Sequence, residues 1–264
     1  IALPRVVETA RTAGNRWGGI RFYWASEAAS VSISSPKFGK FRLDLDKIMG
    51  MGRVTDERLQ DAVALESYIS RMAPKEMPCK MEDSILNASG AGVPQGIVGA
   101  DCTVSVAAET GQVAATVLHE NLKKMWARLF APHRANSIWL VNQDVEPALD
   151  DVHKTVGTGG MEPSYISYTP EGVQRIKGRP VIAVEHCQTL GTVGDIILAD
   201  LSQYMLIDKG GLQVASSVHV YFTTDETAFR FVYRVNGGPW WESALTPAHG
   251  SNTLAPFVTL ATRA

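Results

Sequence analysis

Short apolar runs bounded by Gly, Pro or Asp dominate the second half of the chain. Residues 181–184, 196–199 and 204–207 are such runs, and they predict short strands joined by tight turns. Two longer strands, 212–222 and 227–235, flank Thr223-Thr-Asp-Glu226 and predict an antiparallel hairpin, with a further turn at Asn236-Gly237-Gly238. Residues 137–141 read as a buried strand and 253–262 as a last one. The first half is different. Ile20-Arg-Phe-Tyr-Trp24 and Val31-Ser-Ile-Ser34 are strand-like, and the text alternates strictly from Phe41 to Asp46. Between them lies Ala25-Ser-Glu-Ala-Ala-Ser30, polar and small. This predicts a two-stranded ribbon with no core of its own, and such a ribbon needs a partner surface. Residues 1–16 hold one β-like run, 5–9, and suit an extended arm ordered by neighbours.

Thr55-Asp56-Glu57 is a good helix start, with a capping hydroxyl and two acids at the positive end of the dipole. Leu59, Ala62, Leu65, Ile69 and Met72 then form one apolar stripe, resumed by Met77, Met81 and Ile85. Pro74 and Pro78 are expected to break or kink this helix, and Gly90 or Gly92 to end it. A second helix is expected from about 110 to 130, with Val113, Val117, Leu118, Leu122, Met125, Trp126 and Leu129 inward. The stretch 157–172, rich in Gly, Pro and Ser, reads as a mobile surface loop.

Three passages carry a family resemblance. The first is Gly178-Arg-Pro-Val181 followed by Gly194-Asp-Ile-Ile-Leu-Ala-Asp-Leu-Ser-Gln-Tyr204 and Asp208-Lys-Gly-Gly211. The second is Leu86-Asn-Ala-Ser-Gly-Ala-Gly-Val-Pro-Gln-Gly-Ile97. The third is Ala135-Asn-Ser-Ile-Trp-Leu-Val-Asn142, leading into a short helix near 145–152. In this order and spacing, over about two-thirds of the chain, they resemble the major capsid proteins of tailed bacteriophages of the Hong Kong 97 type. The resemblance implies an α+β fold with discontinuous domains. These would be an N-terminal arm (1–16), an extended β-ribbon or E-loop (17–50), a peripheral P-domain with spine helix and long hairpin (51–104 and 207–252) and an axial A-domain (105–206 and 253–264). It implies self-assembly into hexamers and pentamers of an icosahedral head around double-stranded DNA, in the bacterial cytoplasm. Scaffold, maturation protease, portal and a cement or decoration protein are the further partners it suggests. The chain begins at Ile1. Proteolytic removal of a segment before it, or numbering from the first ordered residue, both remain open.

Composition narrows the alternatives. A chain of 264 residues with 45% apolar content is long enough for a buried core or two. A net charge of −2 gives no basic field for phosphate contacts, and the resemblance implies packaged DNA held without sequence-specific binding. No apolar run approaches the ~18 residues of a membrane span. Cys79, Cys102 and Cys187 are isolated and odd in number, which fits a reducing compartment.

No chemistry-bearing motif competes with assembly. Gly90-Ala-Gly92-Val-Pro-Gln-Gly96 follows a helix, where a dinucleotide fingerprint follows a strand, so no cofactor is expected. The six histidines lack metal spacing. His186-Cys187 on a strand would point to opposite faces. A cysteine hydrolase using Cys102 or Cys187 with a distant histidine stays open as an alternative, as does an encapsulin-like compartment. Asp44 and Asp46 share a strand face beside Arg42 and Lys47, and read as a solvated or intersubunit salt-bridging face. Trp240-Trp241 suits a core, an interface or ligand stacking. Some members of the family join a loop lysine to an asparagine of a neighbour. Here the loop tip lacks lysine, Lys37 and Lys40 sit on the returning limb, and Asn236 lies at the hairpin end, so no covalent bond is expected. The expected intersubunit contacts are Trp24, Glu27, Lys37, Lys40, Asp44 and Asp46 with Glu226, Arg230 and Arg234.

Overall fold

A computed structural model describes residues 1–12, 15–61, 64–156, 160–163 and 165–263. The chain forms two compact units, one of 1–42, 97–205 and 239–264, the other of 43–96 and 206–238.

The first unit is built on a seven-stranded mixed sheet. Its order is Thr103–Val106, Phe257–Leu260, Ile196–Ala199, Ile138–Val141, Arg179–Ala183, Gln174–Ile176, Ile166–Tyr168. Ile196–Ala199 lies inside it, and all four of its residues are buried, as a strand covered on both faces requires. Helix His119–Arg128 lays Leu122 and Met125 on the sheet, against Trp139, Val141, Leu198 and Val258. This helix starts nine residues later than the apolar periodicity suggests. Gly111 and Ala115 take left-handed backbone (φ 75° and 51°), so 110–118 turns instead of winding. The buried Asn121 side chain then accepts the Leu118 N–H (2.9 Å) and a Gln112 amide N–H (2.8 Å), closing the helix start. Val113, expected inward, is exposed.

The arm is ordered within this unit and does not wait for a neighbour. Ala2–Val6 pairs antiparallel with Phe38–Arg42, from Ala2↔Arg42 to Val6↔Phe38. The strands expected at 20–24 and 31–34 form no ladder. Phe22, Trp24 and Ile33 are almost wholly exposed and Ile20, Tyr23 and Val31 only half covered, and a hairpin with so little beneath it is marginal in water. Part of 157–172, expected as an irregular loop, is strand: Gly160–Pro163 pairs with His153–Val156, and Ile166–Tyr168 with Gln174–Ile176. Residues 157–159 and 164 lie outside the described part.

In the second unit Glu226–Pro239 is the central strand. It pairs antiparallel with Gln213–Tyr221 on one side and with Asp46–Thr55 on the other, and Tyr204–Asp208 also joins it. Asn236-Gly237-Gly238 is therefore strand and not turn; the Gly237 carbonyl accepts the Gln95 N–H at 2.8 Å. Helices Asp56–Asp61 and Ala64–Asn87 follow the outer strand. The second of these runs through Pro74 and Pro78 without a break, although each deletes one i→i−4 hydrogen bond. Tyr68, Ile69, Met72 and Cys79 leave an open apolar groove along it.

Candidate assembly surface

Within the first unit, loop 20–36 is the most exposed stretch. Phe22, Trp24 and Ile33 are 95–106% exposed, and Glu27, Lys37 and Lys40 also face solvent. Backbone and side chain tie it only lightly: Lys37 N–H to Gly18 O (2.7 Å), Arg21 N–H to Ser34 Oγ (3.2 Å), Ala29 N–H to Ser26 O (3.1 Å). Its root is firm. Gly39 packs so closely on the arm that a Cβ there would stand 2.7 Å from Val7 Cγ2. Trp240 meets Phe41 edge-on at 5.4 Å, and Trp241 meets Phe130 and His133 at 5.5 Å each. Trp240 thus anchors the arm's partner strand, and its carbonyl also accepts from Arg5 of the arm, while Trp241 packs on Phe130 and His133. Arg5 reinforces this, with Glu242 at 2.8 Å.

In the second unit, cross-strand register sorts the sheet into two faces. Phe229, Phe231 and Val235 lie on one, and are buried. The other carries Arg230 opposite Met51, Val232 opposite Met49 and Arg234 opposite Lys47. Met49, Met51, Arg230, Arg234 and Lys47 are exposed there. Arg53 and Glu226 pair at 3.2 Å, so Glu226 is engaged within the chain. Asp44 and Asp46 are drawn together by one amide: Asn236 Nδ2 donates to the Asp46 carboxylate (2.7 Å) and to the Asp44 carbonyl. Asp44 falls between strands, and Asp46 opens one. The methionines and Arg53 escape a reading of the sequence because Gly50-Met-Gly52 hides a ten-residue strand; the alternation of Phe41 to Asp46, carried forward, is the signal that points to it.

The residues weighed for catalysis lie elsewhere. Burial pushes the Cys102 and Cys187 thiols up to about 12, Cys187 with help from Asp195. Burial of this kind disfavours the thiolate, the form in which a cysteine acts as a nucleophile. His186 and Cys187 sit in a turn rather than on a strand. Gly90 and Gly92 are left-handed, and the Gly90 N–H is spent on Pro94 O and the Gly96 N–H on Ala88 O, so these two donors are engaged within the turn. Among the described residues no group of three or more metal-binding side chains occurs, and no helix is long and apolar enough to cross a membrane.

Comparison with known proteins gives the family and the fold. Residues 5–249 match the model of the phage capsid family. No curated protein matches the chain. The capsid of an empty GTA particle, computed with C5 symmetry, superposes with a TM-score of 0.71 at 17% identity, covering 100% of this chain and 85% of the other. A chain of Microbacterium phage Oxtober96 gives 0.65 at 13% identity, with 99% and 85% covered. The holo-SrpI encapsulin of Synechococcus elongatus gives 0.54 at 11% identity, with 97% and 84% covered. At these identities the neighbours establish the fold, a mixed α+β capsid architecture of the Hong Kong 97 type, and the family match over nearly the whole chain establishes the rest. This chain belongs to the phage capsid family, and is a major capsid protein, the self-associating building block of an icosahedral phage head.

Proposed function

We propose that copies of this chain join as hexamers and pentamers, each laying loop 20–36 on the second unit of a neighbour, and that the closed shell encloses double-stranded DNA. The observation that carries this is the loop itself. Phe22, Trp24 and Ile33 stand in water at a cost that only a partner surface relieves, at ~25 cal/mol for each Å² of apolar area covered. The exposed sheet face with Met49, Met51, Arg230 and Arg234 suits that loop in chemistry, offering thioethers to Trp24 and guanidinium groups to Glu27. Lys37 and Lys40 remain available for a neighbour's carboxylates. The contacts are non-covalent: Asn236 is occupied by Asp44 and Asp46, which supports a shell without lysine–asparagine bonds. Assembly in the host cytoplasm, with scaffold, protease, portal and a cement protein as accessory partners, completes the proposal.

Negative-stain microscopy of the purified protein tests it. Closed particles are the expected result, and particles recovered from an infected host should hold nuclease-protected DNA. Particles holding protein cargo and no nucleic acid would favour an encapsulin-like compartment, whose fold this chain shares. Single compact subunits at high concentration would overturn the proposal.

A further inference from the structure

We infer that Trp17-Gly18-Gly19 is a pivot on which loop 20–36 takes up more than one bearing, and that the Arg11 guanidinium, held between the rings of Trp17 and Phe130, is the latch for one of them. The inference rests on the reading of that loop as the intersubunit element. Three consecutive residues at its root have left-handed backbone, with φ of 50°, 78° and 104°. Glycine adopts this region freely, and a tryptophan does not. A bulky residue held there needs surroundings that over-determine it.

Those surroundings are present. The Arg11 guanidinium carbon lies 5.4 Å from the centre of the Trp17 ring and 5.0 Å from that of Phe130. A flat guanidinium stacks on aromatic faces in a way an ammonium cannot. Arg11 is a fixed post: its N–H donates to Thr246 O at 2.7 Å, the Thr246 N–H donates to Thr9 O at 2.9 Å, and Ala10 bridges Thr246. Its Nε lies 3.1 Å from the Glu8 carboxylate, and its carbonyl accepts Arg16 Nε–H at 2.7 Å. Phe130 is equally fixed, through its N–H to Ala255 O at 3.0 Å. The returning limb closes the root, since Gly18 O accepts the Lys37 N–H and a Cβ on Gly18 would stand 3.0 Å from Lys37 O and 3.4 Å from Val6 Cγ1.

Beyond the pivot the exposed side chains of the loop touch no core, so turning at residues 17–19 re-aims Phe22 and Trp24 without opening the sheet. A subunit that serves both five-fold and six-fold rings needs such freedom, because its neighbour stands at a different angle in each. Release of Arg11 lets Trp17 leave the left-handed region, and the loop then swings.

Amide hydrogen exchange on the unassembled subunit tests the latch, with the Lys37 N–H as reporter. In Arg11→Ala this amide is expected to exchange about tenfold faster or more, while the Thr246 and Leu198 amides keep their rates. Arg11→Lys keeps the charge and loses the flat stack, and gives an intermediate acceleration confined to residues 17–37. In assembled material both variants broaden the distribution of particle sizes. The latch is overturned if the Lys37 amide keeps its wild-type rate in the lysine variant, or if exchange rises equally at Thr246 and Leu198, which marks a general loss of structure. Should wild-type protein form no particles, the shell reading fails on its own, and the Lys37 rate in free subunits still decides the latch.

Discussion

Strand 196–199 and loop 20–36 belong to the same unit and solve opposite problems. Ile196–Ala199 has neighbours on both edges and side chains buried on both faces, so everything it needs is inside one chain. The loop carries comparable apolar side chains, Phe22, Trp24 and Ile33, and buries almost none of them. The contrast shows two ways in which apolar sequence is used. One stabilises the subunit, and the other is held in reserve until a second subunit arrives. Damage to the first should lower melting temperature in the isolated protein, and damage to the second should leave melting intact and weaken assembly.

The largest effect belongs to the self-sufficient side. Asp195, next to that strand, and Arg263 form an ion pair with both side chains wholly buried. The Gly191 N–H also donates to Asp195 (2.9 Å), and the Arg263 N–H to Gly191 O (2.8 Å), so the pair ties the end of the chain to the 191–195 turn. Asp195→Ala leaves a buried guanidinium without its counter-charge, and should cost about 3–5 kcal/mol. Denaturant melts of the free subunit measure it, and a loss under about 1 kcal/mol would show that the unit does not depend on its interior as argued. Trp24→Ala is the matching test on the other side. A fully desolvated aromatic anchor is worth about 2 kcal/mol or more at an interface, which raises the critical concentration for assembly about thirty-fold. The melting curve of the free subunit should not move. If it falls, Trp24 packs on its own chain and the contrast is lost.

What could be read from the sequence follows the same divide. Ile196–Ala199 was legible because a continuous apolar run between Asp195 and Asp200 has one sensible use. The hairpin of Gln213–Tyr221 and Glu226–Pro239 was legible from its two long runs about a polar turn, though the Asn236-Gly-Gly238 turn signal was overridden by pairing along the whole strand. Asp46–Thr55 was not, because glycines at 50 and 52 weaken a strand signal that only the partner strand restores. The prolines at 74 and 78 argued locally for a break that the helix as a whole does not make. For the candidate surface, the exposure of the loop was legible in its lack of a second apolar layer. The stack of Arg11 on Phe130 joins residues far apart in sequence, and no local pattern announces it.

Acid should touch the first unit through His119. This ring opens helix His119–Arg128, is buried, and stacks on Tyr165 at 4.5 Å. Burial lowers its pKa from the ordinary 6.5; Lys177, Lys123 and Lys154 push the same way, and Glu120 opposes them. The positive end of the helix also disfavours a charged ring. The unfolded chain therefore binds the proton more readily than the folded one. Stability is intact well above pH 6.5 and declines as pH falls below it, toward the lower value of the folded state. His119→Gln should flatten urea midpoints between pH 7 and 5.5. A slope unchanged in that variant would assign the acid sensitivity to other groups.

The smallest effect probes the seam between the two kinds of region. Among the described residues Glu27, Arg230 and Arg234 have no ion-pair partner in their own chain, and each is exposed. If loop 20–36 lies on the neighbour's sheet, Glu27 meets these arginines there. An exposed pair of this kind is worth only about 0.2–1 kcal/mol and fades with salt. Charge reversal makes it measurable: Glu27→Arg alone and Arg230→Glu alone should each raise the critical concentration for assembly a few-fold at low salt. The double variant should return toward the wild-type value, because the pair is restored with its signs exchanged. Repeating the cycle with Arg234 distinguishes the two arginines, since they stand four residues apart on one strand, about 13 Å, and Glu27 can reach only one of them in a given bearing of the loop. Coupling to neither would move the loop off this face and leave Trp24 to find a different partner, of which the apolar groove of Tyr68, Ile69 and Met72 is the next to test.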